Sequence, residues 1–166
     1  MILGFDPGRD KCGVAVMTDD GGAHTPAPAT VANGTNNLGN GSVQFTDKAA
    51  ANIMFADVVA ADEAIATVLS LTQTYPVSLM VMGDQTMAKQ WKSTFEPLVS
   101  IPIVLVDERY STLEARDRYW TLYPPKGLTR LIPKALRSIP RPIDDVVAII
   151  LIERYWQMST PHPQSG

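Results

Sequence analysis

The sequence predicts an α/β domain built on a mixed sheet covered by helices, and three observations carry that reading. The opening segment, MILGFDPGRDKCGVAVM, holds two apolar runs separated by Pro7-Gly8, the pattern of an antiparallel hairpin. Further along, apolar runs of strand length alternate with stretches of helical spacing, which implies parallel neighbours in the same sheet. At 166 residues the chain has the size of one domain, enough to bury about two thirds of the surface it exposes when unfolded.

Ile2 to Phe5 and Cys12 to Met17 read as the hairpin strands, with the Gly8 region reversing the chain. Asp19 to Ser42 is polar, rich in Gly and Asn and without apolar period, so it reads as a loop with Asn36 to Gly41 at its tip. Asn52 to Val59 suits a third strand. Ala61 to Thr74 has helical spacing, with Ile65, Val68, Leu69 and Leu71 near one face, and Pro76 stops it. Val77 to Met82, closed by Gly83, reads as a buried strand, Met87 to Glu96 as a helix and Ile101 to Val106 as another strand. Ser111 to Leu122 is helical in pattern, and Ser111-Thr112 followed by Glu114 offers a cap. Pro124, Pro125, Gly127, Pro133, Pro140 and Pro142 then break a basic connector that no single helix spans. Ile143 to Gln157 is apolar on nearly every side at its centre. Periodicity leaves helix and strand open there, and length with the Pro-rich entry favours a helix. No internal repeat is present. The expectation is one domain over 1–157 and a flexible tail over 158–166.

The net charge of −3 argues against nonspecific coating of nucleic acid, but the average hides a gradient. Residues 1–108 carry 5 basic and 12 acidic side chains, whereas residues 109–166 carry 9 basic and 5 acidic. A localised polyanion site leaves such an asymmetry, and so does a solvated basic surface balancing an acidic one. A single cysteine, Cys12, rules out an internal disulfide, and the absence of a signal-like start makes a cytoplasmic protein the expectation. The longest apolar run, Val146 to Ile152, is far short of the roughly 20 residues of a membrane span.

Three carboxylate positions stand at the ends of elements. Asp6 follows the first strand, Asp107-Glu108 follows Ile101 to Val106, and Asp144-Asp145 opens the last helix. Ligand sites in open α/β sheets gather at the carboxyl ends of strands. Carboxylates crowded there raise one another's pKa unless a divalent cation neutralises them, and oxygen ligands suit Mg²⁺ or Mn²⁺. Each position also has a plainer reading. Asp144 or Asp145 can cap helix amides, Asp6 can be a turn residue, and Asp107-Glu108 beside Arg109 can be a surface ion-pair cluster.

The segments Asp6-Pro7-Gly8 with Gly13-Val14-Ala15-Val16, then Val106-Asp107-Glu108-Arg109-Tyr110-Ser111-Thr112-Leu113-Glu114-Ala115-Arg116, then Ile143-Asp144 leading into Ala148-Ile149-Ile150-Leu151 and Tyr155, resemble the YqgF family. That family belongs to the RuvC-like Holliday-junction resolvases of the ribonuclease H-like superfamily. The resemblance runs from Met1 to Trp156 and is strong at the motifs alone. It implies a ribonuclease H-like fold, with a mixed five-stranded sheet opening on an antiparallel hairpin and helices on both faces. It also implies a metal-dependent endonuclease that cleaves phosphodiesters in branched DNA or structured RNA, as in junction resolution or ribosomal RNA precursor processing. The acids carry over onto Asp6, Glu108 and Asp144, which would hold two Mg²⁺ or Mn²⁺ ions, with Asp145 a further candidate ligand.

Arg109 and Arg116 would reach substrate phosphates, or else pair with Glu114 or Asp117. Lys126, Arg130, Lys134, Arg137 and Arg141 would form an outer rim for nucleic acid. Tyr110, Tyr119, Trp120 and Tyr123 suit either base stacking or the core, and their helical spacing favours the core. The chain departs from the family pattern at Asp10, where a basic residue is usual, at Gly83-Asp84-Gln85-Thr86, and in the long connector Tyr123 to Arg141. A noncatalytic nucleic-acid or ribosome-associated binder with the same fold is the rival reading. An actin-like ATPase needs two related lobes, for which one unrepeated chain of this length has no room. A homodimer presenting two sites to a symmetric junction is left open.

Overall fold

A computed structural model describes residues 1–19, 52–125, 127–133 and 136–159. The expected loop from Asp19 to Ser42 lies outside the described residues apart from Asp19 itself, as do Lys126 and Lys134 of the expected basic rim.

The first two strands, β1 (Ile2–Asp6) and β2 (Lys11–Met17), form the expected antiparallel hairpin, with Asp6 opposite Gly13. β3 (Ile53–Ala60) pairs antiparallel with β2, while β4 (Leu79–Gly83) pairs parallel with β1 and β5 (Ile103–Val106) parallel with β4. The sheet order is β3-β2-β1-β4-β5. That order, with these directions, is the mixed five-stranded sheet opening on an antiparallel hairpin that the resemblance implies. Because β1, β4 and β5 run the same way, Asp6, Gly83 and Val106 end side by side at one rim of the sheet.

Helices cover both faces. Alternation along the strands sends Leu3, Phe5, Val14, Val16, Met80 and Met82 to one face, against α1 (Ala64–Thr74) and α2 (Ala88–Phe95). Ile2, Ala15, Met17 and Val81 point the other way, toward α3 (Ser111–Leu122) and α4 (Asp144–Ser159). The last apolar segment is therefore a helix. It is buried from Asp145 through Ile152 because α4 touches all five strands and α3, which accounts for its lack of a polar face. Met158 and Ser159, expected in a flexible tail, belong to this helix, and the rest of that tail lies outside the described residues.

Glycine permits the close approach of α4. A Cβ on Gly4 would overlap the Ala148 carbonyl, and one on Gly13 would overlap the Asp144 carbonyl, so the helix main chain rests directly on the strands. At the hairpin turn, Trp91 Nε1 donates to the Gly8 carbonyl at 3.1 Å, and its ring stands against Phe5 and Phe95.

One local expectation is corrected. Ser111 and Thr112 do not cap α3: the residue before it, Tyr110, has left-handed backbone (φ 64°), no side chain caps the helix, and Glu114 bonds Arg154 instead. The connector contains a 3₁₀ turn, Gly127–Leu131, entered through Gly127 at φ 58°.

Gly13→Ala is expected to lower stability by about 1 to 3 kcal/mol, since the overlap is with main chain that no rotamer relieves. Gly127→Ala meets open space, and is expected to lose about 1 to 2 kcal/mol through its left-handed backbone alone. Urea denaturation followed by circular dichroism measures both, and an unchanged midpoint for Gly13→Ala would contradict the seating of α4.

Candidate acidic site at the carboxyl end of the sheet

The hairpin register and strand alternation place Asp6 on the α4 face, since its partner Gly13 lies under the first residues of that helix. Glu108 arrives from the segment after β5. Its side chain folds inward over the end of β4, where Gly83 makes room: a Cβ there would overlap Glu108 Oε2. The Glu108 amide donates to Asp84 Oδ1 at 3.2 Å, so the residues that depart from the family pattern hold the acid's main chain.

Asp6 and Glu108 meet as carboxyl to carboxyl. Burial, then the hydrogen bond to Glu108, then the charges of Glu108 and Asp144 raise the Asp6 pKa from an ordinary 3.8 to about 9. At neutral pH Asp6 therefore keeps a proton, which it donates to Glu108. Glu108 Oε2 is a buried oxygen with no hydrogen-bond partner among the described residues. An orphaned buried oxygen beside two further carboxylates suits a hard divalent cation. Asp144, the first residue of α4, instead has Lys11 Nζ 3.5 Å from its Oδ2. As placed, no three acidic, histidine or cysteine side chains among the described residues stand close enough to share one ion.

The other candidates divide by partner. Asp145 is buried, with both oxygens bonded to Arg141 at 2.8 and 3.1 Å, so its carboxylate is already neutralised. Arg141 also donates to Tyr123 Oη at 2.9 Å and lies over the Tyr119 and Tyr123 rings, which places it inside the structure rather than on a free rim. The surface ion-pair reading is realised for Asp107, whose carboxylate binds Arg109 and is held down to about 2 by that hydrogen-bonded guanidinium. Arg137 braces the connector through the Ile132 carbonyl at 2.8 Å and lies over Trp120. Arg116 and Arg130 are exposed, and Arg116 has no ionic partner among the described residues. Tyr119 is buried in the core, Trp120 and Tyr123 pack against it, and Tyr110 is exposed.

Sequence reasoning missed Arg154. From α4 its guanidinium donates to the Asp107 carbonyl, to the Arg109 carbonyl at 2.7 Å and to Glu114, and so clamps the main chain on both sides of Glu108. Two of those partners are main-chain carbonyls, which leave no mark in a sequence. The Arg141–Asp145 pair was findable from its four-residue spacing.

No protein-family model matches the chain, and no curated protein matches it. Among solved structures, T. thermophilus RuvC in complex with a Holliday junction substrate is similar, at 14% identity and TM-score 0.48, over 96% of each chain. No helix among the described residues is long and apolar enough to cross a membrane.

Because Asp6 binds its proton more tightly folded than unfolded, its contribution to stability is full below 3.8 and declines as pH rises toward about 9. Asp6→Asn is expected to remove that decline. Metal-free protein melted across this window should show the wild-type midpoint falling more steeply than the variant's, and parallel curves would contradict the raised pKa.

Proposed function

We propose that this protein is a divalent-cation-dependent endonuclease of the YqgF and RuvC-like type, cleaving phosphodiester bonds in branched DNA or structured RNA. The pairing of Asp6 with Glu108, with Asp144 in electrostatic reach of Asp6, carries the reading. They come from β1, the segment after β5, and α4, and burial, then the hydrogen bond to Glu108 and the charges of Glu108 and Asp144, raise the Asp6 pKa to about 9. In this assignment Asp6, Glu108 and Asp144 would hold the cations. Bound Mg²⁺ or Mn²⁺ would supply an activated water and charge neutralisation for in-line displacement at phosphorus. Arg154 and Asp84 position Glu108 from behind, and Gly83 admits it. Arg116 and Arg130 are the exposed described cations left to meet the backbone phosphates, with Lys126 and Lys134 the remaining candidates from the sequence.

One observation favours the noncatalytic binder instead: Lys11 rather than another acid stands beside Asp144. Cleavage separates the two readings. A panel of branched DNA, duplex DNA and ribosomal RNA precursor fragments is expected to show Mg²⁺- or Mn²⁺-dependent cutting by wild type. Cutting should fall to background in Asp6→Asn with the circular dichroism spectrum retained. Binding of the same substrates should persist in the variant and weaken steeply with salt. Equal cutting by both proteins would overturn the assignment, and binding without cutting by wild type would leave the binder.

A further inference from the structure

A cavity of about 460 Å³ opens beside Asp144, between the start of β2, α3 and the end of the connector. Lys11, Thr112, Arg116 and Arg141 line it together with Asp144. Its charges are unequally committed. Arg141 is locked to buried Asp145. Lys11 stands 3.5 Å from Asp144 with its side chain 49% exposed, and Arg116 faces solvent with no ionic partner among the described residues. The cavity thus offers an ammonium held loosely by one carboxylate, a free guanidinium fork able to take two oxygens, and a hydroxyl donor.

We propose that this cavity seats a backbone phosphate of the nucleic-acid substrate, and that filling it draws Lys11 off Asp144, so that the anion and a divalent cation bind cooperatively. The inference rests on the cation-dependent reading above and adds a coupling to it. Lys11 and a divalent cation compete for the same carboxylate, because both neutralise it and repel each other at close range. A phosphate beside Arg116 gives the ammonium another anion to bind, which frees Asp144 to turn toward Asp6 and Glu108. Linkage makes the effect reciprocal: a cation on Asp144 releases Lys11 to the phosphate and strengthens the anion's hold.

The test measures Mn²⁺ binding by calorimetry on the full-length protein, in chloride and in sulfate at equal ionic strength and matched free Mn²⁺. Sulfate stands in for the phosphate. Wild type is expected to bind Mn²⁺ roughly two- to five-fold more tightly in sulfate, the scale of one partly exposed ion pair. Lys11→Met should bind Mn²⁺ in chloride as tightly as wild type does in sulfate, and gain nothing further from sulfate. Arg116→Gln should keep the chloride affinity and lose the sulfate effect. Equal wild-type affinity in both anions overturns the coupling, and so does a Lys11→Met protein that binds Mn²⁺ more weakly than wild type. If either result comes with binding that Asp144→Asn abolishes, the coupling alone fails. Binding that Asp144→Asn leaves undiminished, or no binding in any variant, overturns the cation reading and the coupling together.

Discussion

Helix α4 lies with its main chain against that of β1 and β2, at Gly4 and Gly13, and the arrangement of the whole carboxyl rim depends on that contact. A side chain at either position would lift the helix off the sheet. The approach brings Asp144 beside the end of β1 and sends Asp145 into the interior, where Arg141 must follow to neutralise it. Farther along the same helix, the approach sets Arg154 at the height of the segment after β5, where its guanidinium replaces the hydrogen bonds that an irregular main chain otherwise lacks. Two acidic positions and the clamp on a third thus follow from one packing distance.

The acids of the rim then fall into two electrostatic classes. Asp107, Glu114, Asp145 and Glu153 each bind an arginine, a cation that stays charged and bonds in fixed geometry. Among the described residues Asp6 and Glu108 are paired with each other and with no cation, and Asp144 has a lysine at longer range. The unsatisfied group is therefore confined to one spot. Neutralising it with a fifth arginine would bury the charge in a stable pair, as at Asp145, and close the spot to any ligand.

Much of this was legible from the chain alone. The apolar run ending at Asp6, the alternation of strands and helices, and the Pro-rich break before α4 each carry a local physical signal, and the observed elements fall within a few residues of those expected. The acids were legible as positions but less so as individuals. Asp107 and Glu108 differ only in which way the chain turns after β5, and the turn is decided by the space over Gly83, a contact distant in sequence. Asp144 and Asp145 differ by one step of a helix whose rotation about its axis is set by the sheet beneath. The expected cap on α3 failed for a related reason: Tyr110 takes a left-handed conformation in a segment held by Arg154, and local preference yields to that clamp. Arg116 and Arg141, alike in sequence, part company because only one of them has a buried carboxylate within reach.

The seating of α4 also has a consequence for the order in which the molecule comes into being. The hairpin of β1 and β2 is made before the other described elements, and its two strands can pair at once because they are adjacent in the chain. Its α4 face stays bare until residues beyond 143 have been made, since α4 is what covers it. The part of the sheet made first thus waits on the last of the described helices, and any nascent chain short of that helix carries Asp6 with neither Asp144 nor the Arg154 clamp. The acidic rim is therefore assembled only once α4 has been made, and the chemistry proposed for it is silent in any chain that lacks this helix.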